Sequence, residues 1–204
     1  MRHRPHTPPR ARAGAERTIL TIGLACDSRE QRQTVIDNLA SMGLTPIGNH
    51  ALADTPPVYE YTPPSNQLIC GCRMVTIVIT DAEDRRRSMW PNVLLLCFST
   101  ADRAAAARLE ARWGTASRSS PVARRKGTPR VLVGTTTKPD APKPTAPAIP
   151  FADALDLAVK VDALKYIECT FASGVTAGAR LLFDEAIRLA VEEKAKATGG
   201  CAIL

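Results

Sequence analysis

Short apolar runs alternate with segments of helical period along this chain, and that alternation limits its folds more than any other feature. The runs are "TILTIGL" (18–24), "MVTIVIT" (74–80), "VLLLCFS" (93–99), "RVLVGT" (130–135) and "YIECT" (166–170). Helical patterns occupy 27–43, 101–113, 151–162 and 177–197, with apolar residues three and four apart. In 27–43 these are Val35, Ile36, Leu39 and Met42; Asp27 or Ser28 can cap the start, with Glu30 or Gln31 nearby, and Gly43 can close the end. In 177–197 the apolar stripe is Leu181, Leu182, Ile187, Leu189 and Val191. "VLLLCFS", apolar at nearly every position, predicts a strand buried on both faces. "QLICGCRMVTIVIT" (67–80) reads as two strands about a glycine turn, whereas 44–64, with five prolines, reads as mostly loop. Alternation of this kind predicts an α/β domain: a mostly parallel six-stranded sheet with helices on both faces. In such sheets ligands sit outside the carboxyl ends of the strands. Four segments then meet at one edge: the turn after Gly23, Asp81, the loop after Gly134 and the turn after Cys169.

Composition narrows the function classes. At 204 residues one domain is expected, and its 4% aromatic content leaves the core to Ala, Val, Leu and Ile. No apolar run is long enough to span a bilayer. The basic N-terminus lacks the apolar core of a secretory signal, so the six cysteines are expected as thiols. Cys70 and Cys72 stand too close for an ordinary zinc half-site, and histidines occur only at 3, 6 and 50. The +7 net charge draws on residues 2–17, which hold five Arg and three Pro, and on the cluster at 118–130. Residues 1–16 read as a disordered basic arm, 17–197 as the folded domain and 198–204 as a flexible tail. Without a recognised module or aromatic stacking platform, a nucleic-acid partner is not expected.

The segments at the strand ends resemble, in order, the nucleotide-contact motifs of small GTPases of the Rho/Rac type. The strongest likeness is "ALKYIECTFASGVTAGARLLFDEAIR" (163–188), in which Phe183–Arg188 reproduces a hexapeptide of the family. "LLLCFS" (94–99), "RW" (112–113), "TPRVLVGT" (128–135) and "TKPD" (137–140) fall where the family's equivalents stand, and "YEYTPP" (59–64) resembles its first switch. The resemblance implies a P-loop G domain that binds GTP or GDP with Mg²⁺. It assigns nucleotide contacts to Gly23, Ala25, Cys26, Ser28, Arg29, Lys138, Asp140 and Thr170, and metal contacts to Thr62 and Asp81. Lys138 would stack along the guanine and Asp140 would accept its N1–H and exocyclic amine.

Departures from the pattern lie where the chemistry is done. A phosphate loop works through glycines, a lysine and a hydroxyl. Here the second glycine position is Asp27, the lysine position Ser28 and the hydroxyl position Arg29; shifted by one, Arg29 takes the lysine position and Glu30 the hydroxyl. After Asp81, Asp84 replaces the glycine that meets the γ-phosphate and Arg85 the glutamine that orients water. Two readings follow: a membrane-anchored signalling switch with impaired or absent hydrolysis, or a pseudo-GTPase adaptor without a nucleotide cycle. No catalytic residue is assigned.

The terminal "CAIL" fits a prenylation motif, with Cys201 the acceptor and Leu204 selecting geranylgeranyl. One lipid gives marginal membrane affinity, and the Arg-rich arm is expected to add attraction to an anionic membrane. The implied location is the cytoplasmic face of a membrane with a cytosolic pool. The implied partners are Rho-type effectors and regulators, including an exchange factor and a dissociation inhibitor.

Overall fold

The computed structural model describes residues 18–47, 56–62, 74–82, 90–114, 127–137, 148–171 and 178–198. In chain order the elements are β1 (Thr18–Ala25), α1 (Arg29–Ala40), β2 (Leu44–Pro46), β3 (Val58–Tyr61), β4 (Val75–Asp81), β5 (Val93–Ser99), α2 (Arg103–Trp113), β6 (Arg130–Thr137), α3 (Phe151–Lys160), β7 (Lys165–Phe171) and α4 (Ala179–Thr198). The strands form one sheet in the order β2-β3-β4-β1-β5-β6-β7. β4, β1, β5, β6 and β7 are mutually parallel, and β2 and β3 add an antiparallel pair at one end.

The α/β class and the helices on both faces agree with the sequence reading; the six-stranded, mostly parallel sheet does not, because the sheet is mixed and has seven strands. Both antiparallel strands come from the Pro-rich stretch expected to be mostly loop. β2 lies at the sheet edge, where the missing N–H of Pro46 breaks no ladder. β3 is short but alternates, burying Tyr59 and Tyr61. The strand expected before Gly71 lies outside the described residues.

One core packs β1, β4, β5 and β7 against α1 and α4, through Val35, Ile36, Leu39, Leu182, Phe183, Ala186 and Ala190. Phe183 meets Tyr61 edge to face, with ring centroids 5.1 Å apart. Leu181, expected in the apolar stripe of α4, is instead 60% exposed. The second core packs Leu94, Leu96, Phe98 and Leu132 against Leu109 and Trp113 of α2 and Ala154, Leu157 and Ala158 of α3. Beneath these two helices lies Arg130, only 6% exposed, its guanidinium donating to the carbonyls of Val161 (2.8 Å) and Trp113 (3.5 Å). It thereby satisfies carbonyls at the ends of both helices, which local sequence leaves without donors. Among the described residues, no helix is long and apolar enough to cross a membrane.

Candidate functional site at the carboxyl edge of the sheet

Parallel strands bring their carboxyl ends to one edge, and several candidate residues arrive there together. Ala25 ends β1, Cys26 and Ser28 form the turn, Arg29 opens α1, Asp81 ends β4, and Thr170 lies near the end of β7. β4 and β7 are four strands apart in the sheet, or ~19 Å at the usual spacing, so Asp81 and Thr170 mark the two ends of this edge. Lys138, Asp140, Asp84, Arg85, Cys201 and the arm at 1–16 lie outside the described residues.

Gly23 does not form a turn. It lies within β1, paired with Thr80 and Leu94, and the strand runs on to Ala25. A Cβ there would sit 2.8 Å from Leu94 Cδ2 and 3.0 Å from two carbons of Pro91. In this fold the glycine admits the Pro91 ring against the strand. The connection to α1 is therefore three residues, Cys26, Asp27 and Ser28.

The chain's own side chains fill that turn. Ser28 is the N-cap of α1, its Oγ accepting from Gln31 N at 3.1 Å. Gln31 Oε1 accepts from Asp27 N at 3.0 Å, and Gln31 Nε2 donates to Thr135 Oγ1 at 2.9 Å; Thr135 in turn donates to the Phe98 carbonyl at 3.0 Å. One glutamine thus ties the turn to the end of β6 across β5. Over the same turn, Arg108 of α2 grips the Asp27 carboxylate, with Nε 3.1 Å from both oxygens and a further bond from Nη2. Arg108 also reaches Asp102 at 3.1 Å, and the bond to Asp27 raises the guanidinium pKa. Burial works to raise the Asp102 carboxyl, but the amides of Ala105 and Ala104 together with Arg108 hold it below its ordinary range. On the other side, Arg32 of α1 pairs with Asp81 at 2.6 Å.

The expected metal pair is not brought together. Tyr61 pairs with Val75, so Thr62 emerges beside the start of β4, whereas Asp81 ends that strand. Six residues of strand separate the two ends, ~20 Å. The segment that approaches Asp81 enters β3: the Pro57 carbonyl accepts from Ile79 N at 3.1 Å. Asp81 is bridged by a guanidinium, so the placed residues do not fit a shared Mg²⁺. Among the described residues, no group of three or more His, Cys, Asp or Glu side chains is placed to hold a metal.

Beneath the turn, Cys26 and Cys97 line a depression with Asp27, Arg108 and Trp113. Its volume is about 10 Å³, room for about one water molecule and far below the several hundred Å³ typical of a ligand site. A hydrogen bond with Cys26, then burial, pushes the Cys97 thiol well up; burial pushes Cys169 up to about 12. These thiols are core residues, as the sequence suggests for Cys97, and poor nucleophiles. Sequence reasoning missed Arg108, Arg32 and the reach of Gln31. Their partners are distant in the chain, and no local signal announces such contacts.

Compared with known protein families and with curated proteins, the chain matches none.

Proposed function

We propose that this chain is a Rho-like G-domain relative that works without a nucleotide cycle, as a prenylated adaptor at an anionic membrane. The observation that carries this reading is the closed β1–α1 turn. A phosphate cradle needs free backbone donors and a net positive mouth. Here the Asp27 amide already donates to Gln31, and the Asp27 carboxylate, itself repulsive to phosphate, is neutralised by Arg108. Arg32 lies against Asp81, the one metal-contact position at this edge. The family assignment rests on the resemblance of 163–188, and the membrane anchor on "CAIL".

Bound nucleotide is the test. The protein is purified without added nucleotide, denatured, and the released guanine nucleotide quantified; the folded protein is then titrated with fluorescent GDP and GTP, with and without Mg²⁺. Folded protein that releases no nucleotide and shows no saturable binding is the expected result. Near-stoichiometric nucleotide with Mg²⁺-dependent affinity would overturn the adaptor reading in favour of the switch. Asp27→Gly, Ser28→Lys and Arg29→Thr combined remove the carboxylate and restore the family's residues. A gain in affinity would place the defect in this turn; no gain would place it beyond.

A further inference from the structure

We propose that Cys26 and Cys97 form a modification site, in which a small peroxide links them as a reversible disulfide that ties the β1–α1 turn to β5. This inference is independent of the nucleotide question.

Strand register sets the pair. β1 and β5 are parallel neighbours with Ala25 opposite Leu96, so Cys26 and Cys97 fall opposite each other one residue further on. Both belong to the core on the α1 and α4 side of the sheet. Neighbouring strands lie ~4.8 Å apart, within the roughly 4.4–6.8 Å between Cα atoms that a disulfide spans. Cys26 stands one residue past the end of β1, so closing the last distance between the two Cβ atoms moves the turn and not the ladder. The two thiols are already hydrogen-bonded to each other. Cys169, the third thiol among the described residues, is no rival for Cys97. It lies on β7, two strands from β5, opposite Thr135 and so level with Ser99. That is ~10 Å across the sheet and two residues further along it, beyond the reach of a disulfide.

Burial assigns the two roles. Cys26 keeps 8% of its surface in solvent and Cys97 none, so Cys26 meets the oxidant. The depression that both line is too small for an oxidant the size of a glutathione disulfide, which leaves a small peroxide. The Cys26 thiolate attacks one peroxide oxygen; the S–O bond forms, the O–O bond breaks and hydroxide leaves. Cys97, kept protonated by its bond to Cys26 and by burial, waits as the resolving thiol. Its sulfur then attacks the sulfur of the Cys26 sulfenic acid. The S–S bond forms, the S–O bond breaks, and the departing hydroxide takes the Cys97 proton as water. Two thiols lose two electrons and the peroxide gains them. In a reducing compartment such a bond is transient, and a thiol reductant returns both cysteines. While it lasts, Cys26 is covalently held to β5 at the foot of the turn that Gln31 and Arg108 hold from above.

Peptide mapping of the folded full chain after exposure to hydrogen peroxide reads the bond. Remaining thiols are blocked with iodoacetamide in denaturant, and the chain is digested with trypsin without reductant. Trypsin leaves Cys26 on 18–29, Cys97 on 88–103 and Cys169 on 166–180. The expected product is 18–29 joined to 88–103, lighter by two hydrogens than the two reduced peptides together and separated again by dithiothreitol. Cys97→Ala should leave Cys26 as a sulfenic acid that dimedone captures, whereas Cys26→Ala should leave Cys97 reduced. The link itself is read on the unaltered chain, so the test decides even where a variant fails to fold. Three results overturn the proposal: Cys26 that stays reduced or goes on to sulfinic acid without the link, a link to 166–180 in its place, or a link that forms only in urea.

Discussion

Glu185 is a buried carboxylate whose charge the fold depends on. It lies on α4, 7% exposed, and accepts from Arg188 at 2.7 and 3.0 Å and from Lys165 of β7 at 2.9 Å. The Arg188 hydrogen bond leads, opposed by burial and helped by Lys165, and together they hold the carboxyl at about 2 against an ordinary 4.5. The unfolded chain therefore binds the proton more readily, and the stabilisation is fully present above about pH 4.5 and lost as pH falls through about 2. A gap of about 2.5 in pKa corresponds to ~3 kcal/mol at most. Because Lys165 and Arg188 are each about half exposed, solvent screening brings this to ~1–2 kcal/mol. Glu185→Gln keeps the shape and removes the charge. Urea unfolding followed by circular dichroism should find the variant less stable by ~1–2 kcal/mol at neutral pH, with the difference closing as the native carboxylate is protonated. Stability profiles that run parallel for the two proteins from neutral to acid would refute the reasoning.

Gly23→Ala sets a methyl against Pro91, a rigid ring, and Leu94, which is fully buried. It should cost ~1–3 kcal/mol in chemical denaturation; a neutral result would mean the strand does not pack as described. Arg130→Leu strands the Val161 and Trp113 carbonyls and should cost ~2–3 kcal/mol, read as a lowered urea midpoint. The Asp27–Arg108 pair is partly exposed, so the coupling read by a double-mutant cycle should be small and should fade as salt is raised; a coupling insensitive to salt would show the pair desolvated. Cys97 and Cys169 should resist maleimide until the chain unfolds, as peptide mapping of native and denatured samples would reveal.

Local pattern carried much of this architecture. Alternating apolar runs and helical periods identified the α/β class, and every helix core lies within its expected range, because both signals are written over a few neighbouring residues. Ser28, one of two candidate caps of α1, and Cys97, inside the run expected to be buried on both faces, were legible as well. The unchanged hexapeptide of the resemblance, Phe183–Arg188, falls on core and ion-pair residues of α4, so it speaks for packing rather than for chemistry. Tertiary structure decided the rest. Register placed Thr62 a strand's length from Asp81, and it kept Gly23 inside β1 as a packing glycine. Alternation in "VYEY" was too short to outweigh the prolines around it, and pairing with β4 made it a strand. Gln31 reaching Thr135, and Arg108 closing over Asp27, join residues 104 and 81 positions apart. A sequence fixes which residues can donate or accept; only long-range strand pairing and helix packing determine which of them meet.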